Sequence, residues 1–449
     1  MPMQRFIKAI AGIVLVFVLA PSVVAVEVER VVSPGGIEAW LIRDNSIPIT
    51  SIEFSFRGGG ASDPVGKAGL ANMTMSLLDE GAGDLDSQAF QGRAESLSIR
   101  LNFDAGLETV RGSLKTLNRN RGQALELLRL ALTAPRFDLD AVKRIRQQIT
   151  VSLNRRASDP NRVAGRTWRR AVFAGHPYGR PVSGTLESIA GLSIDDMQNF
   201  AATGLTRQNL IIGVVGDITA QALGPILDQV FGALPAAGPR ARVTQATIGS
   251  AGETFVVKMD NPQSVVVFGQ AGLARNDPDY YAAYIMNHIL GGGGFSSRLY
   301  QEVREKRGLA YSVYSYLNPA RRGALISGGV ATRNDQVAKT LSVIRQEWRR
   351  MRENGATAKE LADAKTYLNG SYPLRLSSTS RIARMLVGMQ YNDLGHDYIE
   401  RRADLIDAVT VADIKRVAQT LLDPDRLTVV IVGKPKDIAP TAKAPEIES

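Results

Sequence analysis

The sequence predicts an α+β protein of two homologous domains, and three observations carry that reading. A chain of 449 residues is too long for one ordinary core. Residues 188–216 (SIAGLSIDDMQNFAATGLTRQNLIIGVVG) align without a gap with residues 405–433 (LIDAVTVADIKRVAQTLLDPDRLTVVIVG), at an offset of 217. Each half also opens on a strand-like apolar run and continues with stretches at helical spacing, which suits a sheet with helices on one face.

Within the repeat, Ser193 with Asp196 and Thr410 with Asp413 each mark a helix start. Met197, Phe200 and Ala201 match Ile414, Val417 and Ala418 on one helical face. Continuous apolar strands follow, Leu210 to Val215 and Leu427 to Val432, each ended by glycine. A repeat of this size is a duplicated domain rather than a solenoid unit. Opening strands are expected at 49–56 and 264–270. Helices are expected at 68–79, 87–97, 122–133 and 139–156, then at 278–290, 296–306, 335–353 and 358–370. Leu125, Leu128 and Leu132 set the helical spacing of one, and Thr357 with Glu360 caps the last. The domains are placed at 30–234 and 253–437. A linker at 235–252 begins with Pro235-Ala-Ala-Gly-Pro239, and a flexible tail rich in Pro, Ala and Lys is expected at 438–449.

Composition removes several function classes. Hydrophobic residues at 44% and charged residues at 22% are ordinary for a globular protein. The absence of cysteine excludes disulfides and thiolate metal sites. The three histidines, His176, His288 and His396, are far apart in sequence, outside any short paired-ligand motif, and read as surface or packing residues. Residues 1–25 read as a secretory signal: Arg5 and Lys8 precede an apolar run from Ala9 to Leu19, and Val23-Val24-Ala25 suits cleavage. Periplasmic export is expected, with an uncleaved N-terminal anchor as the alternative and no membrane span after cleavage. Losing Arg5 and Lys8 lowers the formal charge from +10 to +8. The basic residues are dispersed, with the densest knot at Arg166, Arg169 and Arg170 around Trp168. A solvated helix face explains that knot, and no nucleic-acid motif accompanies it.

The most specific segment is 291–311, GGGGFSSRLYQEVREKRGLAY. Its helix-like part ends at Gly308, so a turn can bring Arg304 near Tyr311 at the start of a strand. Guanidinium and phenol suit the holding of a peptide carbonyl or an oxyanion. Read without a family, Arg304 is one of several surface arginines and Tyr311 packs on a sheet. Gly291, Gly292, Gly293 and Gly294 precede the helix. No G-K-[ST] follows them, which excludes a P-loop and leaves a peptide-contacting loop or a plain turn.

This segment resembles the substrate-binding arginine/tyrosine segment of the inverzincin zinc peptidases, the pitrilysin, insulinase and mitochondrial processing peptidase family. His176-Pro-Tyr-Gly179 followed by Gly184-Thr185 resembles another stretch of that family, and the matching segments run from about residue 37 to 433. The resemblance implies two mostly antiparallel sheets, each with helices on one face, arranged as a clam-like half-chamber. It also implies an H-x-x-E-H zinc motif on an early helix. Here that stretch reads Gly69-Leu-Ala-Asn-Met-Thr-Met-Ser-Leu77, with Asn72 and Ser76 at the histidine positions and Met75 at the glutamate. Ser152 stands where the third ligand is expected. Without the family, 68–78 is an ordinary core helix. An amide and two hydroxyls bind zinc weakly, and Met75 cannot act as a base.

The resemblance thus implies a noncatalytic, substrate-binding subunit that binds no zinc itself. Its expected partner is a homologous H-x-x-E-H subunit carrying zinc, in a heterodimer that degrades peptides, with Arg304 and Tyr311 acting in trans. A homodimer is left open as the assembly where the partner is missing. The alternative is a non-enzymatic peptide-binding or scaffold protein, and an autonomous peptidase with a non-standard metal site is a third reading.

Overall fold

The computed structural model describes residues 27–239 and 242–447. The expected signal at 1–25 lies outside them. The first half contains β1 Glu29–Val32, β2 Glu38–Arg43, β3 Ile49–Arg57, α1 Leu70–Met75, β4 Gly81–Ala82, β5 Leu85–Asp86, α2 Ser87–Ser96, β6 Arg100–Ala105, β7 Thr109–Leu117, α3 Arg121–Thr133, α4 Leu139–Ala157, α5 Pro160–Val172, α6 Leu186–Gly191, α7 Ile194–Gly204, β8 Leu210–Gly216 and α8 Ala220–Phe231. The second contains β9 Thr254–Lys258, β10 Gln263–Ala271, α9 Tyr280–Asn287, β11 Ala310–Asn318, β12 Leu325–Arg333, α10 Val337–Asn354, α11 Ala358–Gly370, α12 Thr379–Tyr391, α13 Tyr398–Asp407, α14 Val411–Leu421 and β13 Thr428–Gly433.

The main sheets are mostly antiparallel, in the orders β1-β2-β8-β3-β7-β6 and β11-β12-β10-β13-β9. The expected α+β class is the observed one. The repeat is structural as well. The helices α7 and α14 each begin with the expected capping box, and each is followed by a strand ending in glycine, Gly216 at φ +151° and Gly433 at +152°. Strand β8 lies parallel to β2 and antiparallel to β3, while β13 lies parallel to β9 and antiparallel to β10.

Each half packs its own helices against one face of its sheet, forming an apolar core in each half. The opposite faces are covered by exchange. Helix α5 of the first half lies on β10 and β13, burying Val163, Ala164, Trp168 and Val172 in a cluster with Val265, Val430 and Val432. Helix α12 of the second half lies on β3 and β8, burying Ile382, Ala383 and Leu386 against Trp40, Ile42 and Val215. Polar contacts fix each docking. Trp168 Nε1 donates to the Thr428 carbonyl at 3.2 Å, and Arg384 donates to Glu53 at 3.1 Å. Glycine in the sheet lets each helix approach. A Cβ on Gly213 would meet the Ala383 carbonyl oxygen at 2.4 Å, and one on Gly269 would meet the Trp168 ring at 2.7 Å.

Several expectations are corrected. Helix α1 is shorter than 68–79. Asp63 accepts from Gly69 and Ala71 N–H at 2.9 and 3.1 Å and fixes its start. The Ser76 hydroxyl donates to the Asn72 carbonyl as the helix ends. Within the tail, expected to be flexible, residues 441–447 make contacts with the fold: Thr254 N–H donates to the Thr441 hydroxyl at 2.8 Å, Thr441 N–H donates to the Thr254 carbonyl at 2.9 Å, and Ala442, Ala444 and Ile447 pack on the α5 cluster, while Lys443 and Glu446 stay exposed. The small apolar residues that weaken a helix or strand signal suit this extended path. Among the described residues no helix is long and apolar enough to cross a membrane.

Gly213→Ala should cost about 1–3 kcal/mol, because the added methyl forces α12 away from the sheet. Gly92→Ala, on α2 with nothing within 4 Å of the added carbon, should stabilise by about 0.5–1 kcal/mol. Urea denaturation of the two variants measures the contrast.

Candidate functional site

The arginine/tyrosine segment owes its shape to three local departures from regular structure. The helix through Tyr300–Glu305 is wound in π geometry, with Lys306 N–H reaching back to the Gln301 carbonyl at 3.0 Å. Gly308, at φ +59°, ends it by donating to the Arg304 carbonyl at 2.8 Å. Strand β11 then begins with a register shift between Ala310 and Val313. Tyr311 sits in that bulge, which turns its side chain out of the alternating pattern.

The result brings Arg304 and Tyr311 together. The Arg304 guanidinium lies 4.4 Å from the Tyr311 ring centre and 4.9 Å from that of Tyr300, so two rings clasp it. It also donates to the Tyr300 hydroxyl. Tyr311 is 80% exposed, and the Arg304 side chain keeps 30% of its surface. A cation and a phenol therefore face solvent side by side, held by a buried Tyr300. Sequence reasoning missed Tyr300, although its position four residues before Arg304 places both on one helical face.

Beneath this helix Arg298 is 7% exposed and forms a fork with Glu360 on α11, at 2.7 Å to each oxygen. It also donates to the Gly355 carbonyl at 2.9 Å. Burial pushes the Glu360 carboxyl up, but Arg298 and the Thr357 N–H and hydroxyl outweigh it and hold it at about 2.

The glycine run is mostly not a free loop. Gly291 and Gly292 belong to a π turn, His288–Gly292, that extends α9. Gly291 is buried where a Cβ would meet the Ser315 hydroxyl oxygen at 2.4 Å, so its role is close packing of helix on strand. Gly293 follows the turn, and Gly294, at φ +58°, is exposed.

His176 holds the chain rather than a ligand. Its Nδ1 accepts from Tyr178 N–H at 3.1 Å, and its Nε2 lies 3.1 Å from the Thr244 carbonyl in the linker. Tyr178 in turn donates to Glu108 and accepts from Arg322 N–H at 3.1 Å, joining the two halves.

The four positions expected to mark a lost metal site do not fit zinc. Met75 is fully buried in the core of the first half. Ser76 spends its hydroxyl on its own helix. Ser152 lies half-exposed on α4, one turn before Arg156. Asn72 lines a cavity of 410 Å³ whose other polar walls include Arg156, Arg162, Arg166, Arg169 and Arg170. A divalent cation there would meet positive charge. No group of three His, Cys, Asp or Glu placed to hold a metal occurs among the described residues. In the knot around Trp168, Arg162 and Arg169 are exposed and Arg166 and Arg170 half-buried, so the expected solvated face is also a wall of this cavity. Positions 162, 166, 169 and 170 recur at helical spacing on α5, with Trp168 turned the other way into the second sheet. That spacing was the available signal for Arg162.

The Arg298–Glu360 fork predicts an acid dependence. The folded state binds the Glu360 proton less tightly than the unfolded chain, whose ordinary value is 4.5. The fork's contribution is complete above that value and is lost as pH falls toward 2. Glu360→Gln should cost about 1–2 kcal/mol at neutral pH. Its stability should fall less steeply than that of the unaltered chain through this acid window, as read by denaturation at stepped pH.

Comparison with known proteins agrees with this geometry. Residues 191–368 match the family described as Peptidase M16 inactive domain. A Helicobacter pylori protein named "Non-peptidase homolog YmxG" is 27% identical over 391 residues, covering 87% of this chain and 90% of that protein. A Streptomyces coelicolor protein named an uncharacterized zinc protease is 27% identical over 91% of this chain and 90% of its own length. The crystal structure of a peptidase M16 inactive domain from Pseudomonas fluorescens superposes with a TM-score of 0.86 at 28% identity, covering 93% of this chain and all of that one. Over residues 191–368 the chain matches the M16 peptidase inactive-domain family, and over nearly its whole length it is similar to proteins of that pitrilysin-like group, which its sequence resembles.

Proposed function

We propose that this chain is the noncatalytic, substrate-binding subunit of a heteromeric zinc metallopeptidase that degrades peptides. One observation carries the reading: Arg304 is clasped between Tyr300 and Tyr311 with its charge and the Tyr311 phenol open to solvent, in a chain whose metal positions do not fit zinc. Two preorganised donors beside an open face suit a carbonyl oxygen that gains negative charge during hydrolysis. A homologous partner with H-x-x-E-H would hold the zinc and supply the activated water. Arg304 and Tyr311 would orient the scissile carbonyl and hold charge on its oxygen. Strand β11 is the edge of its sheet, and its free side has backbone groups able to pair with an extended peptide. The export signal read in residues 1–25 supports a periplasmic setting.

Purified mature chain mixed with its H-x-x-E-H homologue should hydrolyse an unfolded peptide that neither hydrolyses alone. Arg304→Ala should lower kcat/KM of the mixture about a hundredfold, chiefly through kcat, and Tyr311→Phe about tenfold, while the complex still forms on gel filtration. Unchanged activity in both variants would remove the assigned roles. A stable complex without any hydrolysis would favour the scaffold reading.

A further inference from the structure

Strand β11 carries more on its open face than Tyr311. Its register with β12 pairs Ala310 with Thr332 and Val313 with Val330, so Tyr311 and Ser312 together stand opposite Ala331. Beyond this bulge the strand alternates. Val313 is buried in the core of its own half, and Ser315 bonds with Asn287 of α9. Tyr314 and Tyr316 turn the other way, 51% and 47% exposed, with their rings stacked 6.1 Å apart. Tyr314 lies across β12, where a Cβ on Gly329 would meet its hydroxyl oxygen at 2.8 Å. Helix α5 passes over this face. Asn161, Gly165 and Arg169, four residues apart on one side of α5, line a cleft of 270 Å³ together with Ser312, Tyr314 and Tyr316.

The walls say what the cleft can take. Trp168, Val265, Val267 and Leu325 supply its apolar depth, and Arg169 is its single charged wall among the described residues. Gly165 leaves room on the α5 side, since nothing lies within 4 Å of a Cβ added there. A space of this size is below that of an ordinary small-molecule pocket and holds one large side chain rather than a folded segment. An acidic side chain would leave water for apolar walls, and a basic one would meet Arg169. A flat ring finds tyrosine rings to pack on and a guanidinium at the rim. Burial raises the Tyr316 pKa, Tyr314 adds to it, and the Arg169 charge opposes both, so that guanidinium stands near the Tyr316 hydroxyl. Strand residues rise about 3.4 Å each, so Tyr314 and Tyr316 lie about 7 and 14 Å along β11 from the bulge. A peptide paired on the free edge brings a side chain beside this face at every second residue.

We propose that the cleft between α5 and β11 is a subsite for an aromatic side chain of a peptide, two or four residues along from the carbonyl held at Arg304 and Tyr311. The inference rests on the peptide-binding reading of that pair and adds a preference among peptides, because guanidinium and phenol meet any peptide carbonyl alike. Continuity with that pair, on one face of one strand, argues for a peptide rather than a second copy of the chain.

The test is fluorescence anisotropy of the mature chain with a labelled, unstructured alanine/serine peptide carrying one phenylalanine, and with its leucine and alanine counterparts. The phenylalanine peptide should bind about tenfold more tightly than the alanine peptide and about threefold more tightly than the leucine peptide. Arg304→Ala should weaken all three by a similar factor. Gly165→Leu, which fills the cleft from α5, should remove the phenylalanine preference and leave the alanine peptide unmoved. Tyr314→Leu and Tyr316→Leu alter exposed rings, should each reduce the preference about threefold, and serve where Gly165→Leu fails to fold. In the mixture with the zinc-bearing homologue, cleavage should fall two or four residues from the phenylalanine, and cleavage at no fixed distance overturns the assigned spacing. Arg304-dependent binding that is equal for the three peptides, or a preference unmoved by the cleft substitutions, overturns the cleft alone. Equal binding of the leucine and phenylalanine peptides overturns the choice of an aromatic side chain. Self-association of the mature chain that Gly165→Leu abolishes would give the cleft to a second copy instead. Binding that Arg304→Ala leaves unmoved, or no binding of any peptide, overturns the reading of Arg304 and Tyr311 and the proposal with it.

Discussion

A strand that is apolar on both faces must be covered on both faces, and this constraint organises the whole molecule. Strands β8 and β13 are buried almost throughout their length. Each half supplies its own helices to one side of its sheet only. The other side is closed by a helix lent from the opposite half, α5 over β10 and β13, and α12 over β3 and β8. The two halves are joined by exchanged core elements as well as by a linker. Removing either helix would expose a sheet of valine and isoleucine, and this cost fixes how the halves sit together.

The exchange also places the chemistry. Because α5 must turn Trp168 into the second sheet, its opposite face turns Arg162, Arg166 and Arg169 toward the helix that carries Asn72. Arg169 then borders both that cavity and the one beside Tyr314 and Tyr316. On the far side of the second sheet, the buried fork between Arg298 and Glu360 anchors the π-wound helix, so Arg304 and Tyr311 stand on a fixed base. A clasped guanidinium loses little freedom when it meets a ligand, which makes each contact more effective than one from a free surface arginine.

Much of this was legible in the residues. The offset of 217 and the paired capping boxes predicted the duplication because both are local and repeat residue by residue. The pairing of Arg304 with Tyr311 was legible through Gly308, a breaker whose direction is set by its own backbone. The continuous apolar runs at 210–215 and 427–432 also announced burial on two faces. Which helix provides the second face was not legible, since contact across halves leaves no trace in local periodicity. What the solvated basic face of α5 borders was not legible for the same reason: spacing shows that arginines share a side but not what lies opposite. The glycine run misled in a related way, because close packing of Gly291 against Ser315 and a flexible loop demand the same residue.

The lost metal position is better understood as a replaced one. A zinc site needs ligands that concentrate negative charge or lone pairs at one point, with a base beside them. Here Met75 is sealed in the core, so a carboxylate at that place would be buried without a partner. Asn72 faces arginines, so an imidazole there would have to hold a cation against a positive field. Restoring the motif by substitution at the ligand positions alone would therefore not restore the site, because arginines of α4 and α5 line the same cavity.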